Sequence, residues 1–149
     1  EGEEYHFTDD AGFEKIQAEG KVIEYRIYNT YYGPWYYFTV DDDSIDLNFN
    51  NYLTIGTLES YLKTAAYFGK EKVLPVLLEV DDGERLQRAL DRERFQKVPG
   101  YMEMCRRFLA DAEDFAEEKI KEAGISKRFK NNNFDNCIKE IEEYIKEGI

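Results

Sequence analysis

The chain carries at residues 24–34 the sequence Glu24-Tyr25-Arg26-Ile27-Tyr28-Asn29-Thr30-Tyr31-Tyr32-Gly33-Pro34. Side chains from Lys21 to Tyr28 alternate in polarity, which predicts a strand with Glu24 and Arg26 on one face. Asn29-Thr30 is the predicted turn, and residues 35–40 form the predicted second strand. A hairpin in a protein core needs few side chains that end in polar groups. A site that stacks a planar ligand and hydrogen-bonds to its edges needs many. The stretch therefore predicts an aromatic hairpin with a ligand-binding face.

The segment before the hairpin completes a small lobe. Residues 4–8 alternate and predict a short strand, which runs into a helix whose N-cap lies at residues 8–10. Phe13 and Ile16 follow helical spacing, and Gly20 is the predicted end of that helix. We therefore assign residues 1–50 to one mixed β/α lobe.

The remaining segment, residues 51–149, alternates strands with helices, which predicts a parallel α/β sheet. The predicted strands are residues 51–56, 73–80 and 126–130. The predicted helices span residues 57–68, a segment beginning at Asp81-Asp82-Gly83, residues 101–123, and a last helix capped by Asn133. We expect the apolar run 73–80 to be covered on both faces. The long helix is expected to bury Tyr101, Cys105, Phe108, Leu109, Ala112 and Phe115.

Composition limits the function classes. The 149 residues are 42% hydrophobic, which suits a globular protein, and no apolar run reaches the roughly 20 residues of a membrane span. A net charge of −12 disfavours nucleic acid and anionic membranes as partners. Cys105 and Cys137 fall within helical patterns and predict buried free thiols in a reducing, cytoplasmic compartment. His6 gives no metal-ligand spacing, and the acidic residues 41–46 predict a solvated loop rather than a calcium site.

Arginines cluster in one part of this acidic chain. Six of them are Arg85, Arg88, Arg92, Arg94, Arg106 and Arg107, on both sides of the break at Pro99-Gly100. They could close on a phosphate, because the guanidinium fork binds phosphate oxygens in pairs. Surface pairing with Glu84, Asp91, Glu93 and Glu103 explains the spacing equally well.

The tyrosine-rich hairpin has two interpretations of its own. Tyr5, Tyr32 and Glu24 together could line a cleft for a phosphate and a base edge, since a carboxylate accepts from the ring N–H and exocyclic amine of guanine. An aromatic mini-core with outward polar tips is the alternative. The chain holds no paired nucleophile and base, and no G-x-x-x-x-G-K-[ST] phosphate loop.

At this point the sequence resembles the guanylate kinase family over nearly its whole length. The resemblance rests on residues 2–7, Phe13-Glu14-Lys15, Val22-Ile23-Glu24-Tyr25, Tyr31-Tyr32-Gly33, the lid around Arg92 and Arg94, Arg107-Phe108, and residues 131–135. It implies a parallel-sheet core of the P-loop nucleoside monophosphate kinase type. That core would be incomplete at its N-terminus, because the family's phosphate loop would precede residue 1.

The resemblance also implies an activity, an ATP-binding transferase that moves the γ-phosphate of ATP to GMP with Mg²⁺. By position, Tyr5 and Tyr32 resemble the tyrosines that bind the GMP phosphate, Gly33 resembles a further GMP-binding residue, and Glu24 resembles the carboxylate that recognises guanine. Without the phosphate loop, these 149 residues are not expected to turn over ATP. The sequence does not fix the oligomeric state, and a homodimer is one state that it allows.

The other side of the implied site would bind ATP. Arg92 and Arg94 resemble lid arginines that reach ATP across a segment of about residues 92–107. Arg107 resembles the arginine that stabilises the transferring phosphoryl group. Asn131 resembles a residue beside the adenosine.

The chain departs from the family pattern at Pro34, Thr54 and Gly56. Pro34 replaces a hydroxyl residue, and the other two replace an Asp-x-Asp pair. A second interpretation is therefore a non-catalytic module of the same fold that binds a phosphorylated peptide or protein partner. A third is an aromatic-rich domain with no small ligand.

Overall fold

A computed structural model describes residues 6–31 and 33–148, which form a mixed α/β fold with two small sheets. The helices are α1 (Asp10–Ala18), α2 (Leu58–Phe68), α3 (Asp82–Arg94), α4 (Tyr101–Asp114), α5 (Glu117–Glu122) and α6 (Phe134–Gly148). The strands are β1 (Val22–Thr30), β2 (Gly33–Val40), β3 (Leu77–Glu79) and β4 (Arg128–Lys130), and a 3₁₀ turn spans Lys70–Lys72. Within the described residues, no helix has the length and apolar character needed to cross a bilayer.

The predicted hairpin is confirmed, but its turn is not where the sequence suggested. β1 and β2 pair antiparallel from Val22 opposite Val40 to Thr30 opposite Gly33. The strand continues through Asn29 and Thr30, so the turn begins later, at Tyr31. Gly33 has φ +111°, a backbone conformation that favours glycine, and the Thr30 hydroxyl donates to its carbonyl at 2.7 Å.

The two faces of the hairpin have different environments. α1 covers one face, where the Phe13 ring lies 5.7 Å from Tyr25, 5.6 Å from Tyr36 and 4.8 Å from Phe38 between ring centroids. The opposite face carries Glu24, Arg26 and Tyr28, whose side chains contact one another. The sequence alternation thus placed the polar side chains of β1 on one face correctly.

The second sheet pairs β3 and β4 in parallel, with Leu78 opposite Phe129. Phe129 is fully buried, and its ring lies 5.4 Å from that of Tyr144 on α6. Arg128 donates to Glu79 at 2.7 Å and to Glu117 at 2.6 Å, so it joins β4 to β3 and to the start of α5. This is the one parallel strand pair among the described residues, and the wider parallel sheet implied by the resemblance remains a prediction.

The core lies between α2, β3 and α5. Its buried cluster consists of Leu58, Leu77, Ile120, Ala123 and Ile125, with Tyr61 and Phe115 packed against it. Cys137 is buried as predicted, and both cysteines are free thiols.

Local signals placed several helix ends correctly. Thr57 caps α2 by accepting from the Ser60 N–H, and Asp81 caps α3 by accepting from the N–H groups of residues 83 and 84. Asn133 accepts from the Asn136 N–H at the start of α6. Gly69 ends α2 with φ +99°. Each of these ends depends on contacts within about four residues, which a sequence pattern records.

All three strands predicted after residue 50 are wrong in part or whole. Residues 51–56 are irregular, with Leu53 and Ile55 90% and 97% exposed, because no strand of the described chain pairs with them. Of residues 73–80 only Leu77–Glu79 are paired, and Leu78 is half exposed rather than covered on both faces. Pro75 precedes the strand, as its missing N–H requires. The last strand is likewise shorter, beginning at Arg128.

The predicted helix 101–123 is two helices, α4 and α5, separated by an extended Ala116. Its predicted buried stripe is also wrong, because Tyr101, Cys105, Leu109 and Ala112 are exposed, while Phe108 and Phe115 are partly buried. The buried positions of α4 are instead Glu103 and Met104. Part of the predicted first strand, residues 4 and 5, lies outside the described residues, and residues 6–8 are irregular.

Candidate functional site

A cleft of about 510 Å³ opens beside β1, where the N-terminal half of α2 and the second half of α4 face the strand. It is lined by Tyr25, Arg26, Ile27, Tyr28, Asn29, Thr57, Glu59, Lys63, Arg106, Ala110 and Asp114. This volume falls in the range of small-molecule sites, about 300–1,000 Å³. The cleft thus joins the tyrosine-rich strand to one of the two arginines of α4.

Three cations from three elements line the cleft, namely Arg26, Lys63 and Arg106. Lys63 Nζ donates to the Tyr25 carbonyl oxygen at 2.8 Å and pairs with Glu59 at 2.7 Å. It also lies 5.1 Å from the centre of the Tyr25 ring. An anionic ligand would have to share these cations with the carboxylates that hold them.

Glu24, the predicted guanine-binding residue, is 3% exposed and already occupied. Its Oε2 accepts from Arg26 Nε at 3.1 Å, and its Oε1 accepts from the Thr39 hydroxyl at 3.0 Å. Arg26 also donates to the Tyr28 hydroxyl at 3.3 Å. Glu24 borders a smaller cleft of about 250 Å³ on the α1 side, together with Gln17, Gly20, Val22, Ile23, Tyr25 and Lys63.

Glu103 joins the hairpin turn to the arginines of α4. It accepts from Arg106 Nε and Nη2, both at 2.8 Å, and from Arg107 Nε at 3.0 Å. It also accepts from the backbone N–H of Tyr31 at 3.2 Å, a residue 72 positions earlier in the chain. The structure thus brings the predicted catalytic Arg107 next to the turn that precedes Gly33.

The hydrogen bonds that Glu103 accepts change its pKa. The hydrogen bond from Arg106, helped by those from Tyr31 and Arg107, lowers the pKa of Glu103 from 4.5 to about 2. The pKa of Arg106 is raised by the same bond. Because the folded-state pKa is lowered, the cluster stabilises the fold at neutral pH, and this stabilisation is lost as the pH falls from about 4.5 through about 2.

Among the other arginines, the predicted pairing is confirmed for Arg88 with Glu84 at 2.8 Å and for Arg94 with Asp91 at 3.3 Å. Arg85 pairs at 3.2 Å with Asp82, which was not a predicted partner, and Glu93 accepts from the Gly100 N–H at 2.8 Å. Arg92 is exposed and makes no ion pair with any residue that the structure describes. Arg92 and Arg94 belong to α3 and are not among the residues lining the cleft.

The remaining predicted site residues have mixed outcomes. Tyr5 and Tyr32 lie outside the described residues. Gly33 opens β2, next to the turn held by Glu103. Asn131 follows β4, where its N–H donates to the Glu79 carbonyl at 2.9 Å and its carbonyl accepts from Arg88 at 3.2 Å. Asn131 therefore has a structural role at the end of the parallel strand pair.

The sequence pattern does not identify Arg26 or Lys63 as site residues, and it identifies Arg106 only as one of the six clustered arginines. Arg26 lies in the stretch on which the interpretation was built, but its alternation with Glu24 indicated only a shared face. Glu103 was named as an ion-pair partner, and its spacing of three and four residues from the two arginines is the signal that finds the cluster. No short-range sequence pattern connects Glu103 and its two arginines to Tyr31 or to the cleft.

No group of three or more histidine, cysteine, aspartate or glutamate side chains suited to a metal ion occurs within residues 6–31 and 33–148. The irregular segment around Thr54 and Gly56 offers no carboxylate pair either.

Comparison of the chain with protein-family models, with curated proteins and with solved structures finds no match in any of the three.

Proposed function

We propose that the chain is a guanylate-kinase-like protein that binds GMP with its phosphate in the cleft between β1, α2 and α4 and its base toward Glu24 in the smaller cleft, which shares Tyr25 and Lys63 with the larger one. The observation that carries the proposal is that Arg26, Lys63 and Arg106, from three different elements, all line this cleft. Guanidinium and ammonium groups bind phosphate oxygens. The residues that resemble the guanylate kinase family occur in the family's order along this sequence, which supports GMP as the nucleotide.

The reaction implied by the resemblance is transfer of the γ-phosphate of ATP to GMP. Such transfer depends on positioning and charge stabilisation, and it uses the backbone donors and lysine of a phosphate loop. These 149 residues contain no such loop motif, so the activity proposed for them is GMP binding without ATP turnover. Where a phosphate loop is supplied, Arg107 would act on the transferring phosphoryl group and Arg92 and Arg94 on ATP, with Mg²⁺ arriving as part of the substrate.

A second candidate is a non-catalytic module that binds a phosphorylated peptide. The state of Glu24 favours it, since Arg26 and Thr39 already fill three of the about four acceptor positions of its carboxylate. A site in which Glu24 keeps these partners would recognise phosphate without recognising guanine. We also propose a cytoplasmic location, since both thiols are free.

Calorimetry with GMP, inosine monophosphate and a phosphoserine peptide separates the two candidates. Inosine monophosphate lacks the exocyclic amine that a carboxylate would accept from, so recognition by Glu24 predicts about tenfold weaker binding than for GMP, or about 1.4 kcal/mol. The isosteric Glu24→Gln variant should remove this difference.

Two other outcomes of the calorimetry would count against GMP binding. Equal affinity for both nucleotides, together with tighter binding of the peptide, would favour the phosphopeptide module. Binding of neither nucleotides nor peptide would contradict both candidates and leave the aromatic-rich domain without a small ligand.

A further inference from the structure

The carboxylate of Glu103 is saturated with hydrogen bonds. An ionised carboxylate has about four acceptor positions. Here they receive two N–H groups from Arg106, one from Arg107 and one from the backbone of Tyr31. The side chain is 8% exposed, so solvent has little access to replace any of these donors.

These hydrogen bonds fix the orientations of the Arg106 and Arg107 side chains. Arg106 uses Nε and Nη2 on Glu103, which leaves Nη1 without a partner among the described residues while the side chain lines the cleft. Arg107 uses Nε, and its side chain is 55% exposed. One buried carboxylate thereby orients both guanidinium planes, and it leaves Nη1 of Arg106 and both terminal nitrogens of Arg107 unbonded to it.

A surface pair of the same spacing in this chain provides the contrast. Glu84 and Arg88 are also four residues apart on a helix, but their side chains are 52% and 46% exposed. Such pairs have little effect, because water competes for both partners. Glu103 differs in its burial, in holding two arginines, and in reaching a segment 72 residues away.

We propose that Glu103 is a positioning residue that couples the backbone at Tyr31, directly after β1, to Arg106 and Arg107, so that the position of Tyr31 and the presentation of the cleft arginine depend on one carboxylate. A ligand that holds Arg106 therefore also stabilises the position of Tyr31 through Glu103. The identity of that ligand as GMP rests on the proposed function, whereas the coupling itself is a property of the free protein.

NMR of the free protein tests the coupling without any ligand. In Glu103→Gln one acceptor oxygen becomes an amide donor, which repels the arginine N–H groups. We expect about tenfold faster hydrogen exchange of the Tyr31 amide and shifted Nε–H signals of Arg106 and Arg107. The amide of Asn131, bonded to Glu79 across the parallel strand pair, should keep its exchange rate. The matched Glu84→Gln variant should leave the Tyr31 signal unchanged.

Glu103→Asp provides a second variant that keeps the charge. It is one methylene shorter, so it cannot hold the arginines and the Tyr31 N–H together, and we expect the same loss of protection at Tyr31. Unchanged exchange at Tyr31 and unchanged arginine signals in both variants would overturn the proposal.

A GMP titration forms a separate arm. If GMP binds the wild-type protein, its affinity should fall about tenfold in Glu103→Asp, because the arginine is no longer fixed. An unchanged affinity would overturn the link between Glu103 and the ligand. If the wild-type protein binds no GMP, the proposed function fails, and the free-protein measurements still decide the coupling.

Discussion

Replacing Arg106 by alanine is expected to weaken GMP binding by about tenfold to a hundredfold, which corresponds to the roughly 1.5–3 kcal/mol of a hydrogen bond to a charged group. Arg106 is the only cation of α4 that lines the cleft within the described residues. Its orientation is fixed by Glu103, so little entropy is lost when a phosphate binds. Calorimetry of the wild type and the variant measures the effect directly.

The matched control is Arg88→Ala, which removes the same charge from a residue outside the cleft lining. Arg88 contacts Glu84 and the carbonyl of Asn131. Long-range electrostatics would weaken binding equally in both variants, whereas a direct contact weakens it in Arg106→Ala alone. Unchanged GMP affinity in Arg106→Ala, with thermal unfolding showing an intact fold, would remove Arg106 from the site.

Replacing Phe129 by alanine is expected to lower the free energy of unfolding by about 3–5 kcal/mol, as for other large buried aromatic residues. Phe129 is fully buried in β4 and packs against Tyr144 on α6. Its loss leaves a cavity between the parallel strand pair and that helix. Urea unfolding followed by circular dichroism measures the change.

Phe134→Ala is the control for the loss of an aromatic ring. Phe134 lies at the start of α6, only five residues further along the chain, and is 70% exposed. Its replacement should change stability by about 0.5 kcal/mol or less. Equal effects of the two substitutions would contradict the assignment of β4 to the buried interior.

The elements that could be predicted are those specified by their own neighbours in sequence. The β1–β2 hairpin follows from alternation, and α2 follows from Thr57 at one end and Gly69 at the other. These contacts span a few residues and need no knowledge of the fold.

The errors have tertiary causes. Residues 51–56 have the composition of a strand, but a strand forms only where a neighbour accepts its hydrogen bonds, and the described chain provides none there. In α4 the apolar spacing indicated a stripe through Cys105 and Leu109. The face that is buried instead carries Glu103, because two arginines and the Tyr31 N–H compensate the burial of its charge.

The candidate site was only partly accessible to prediction for the same reason. Glu24 and Arg107 were selected from the sequence, yet what surrounds each of them depends on residues far along the chain or on the opposite strand. Thr39 on β2 completes the partners of Glu24, and Tyr31 completes those of Glu103. Contacts between neighbouring strands, or between a turn and a distant helix, produce no periodic pattern in the sequence.

Titration of the ¹⁵N-labelled chain with GMP, observed through its amide signals, directly tests whether GMP binds in the cleft. We expect saturable shifts at residues 25–29 of β1, at Thr57 and around Arg106, with the signals of α6 unchanged. No shifts up to about 1 mM GMP, the upper end of usual enzyme KM values, would contradict it. Shifts confined to residues outside the cleft would contradict it equally.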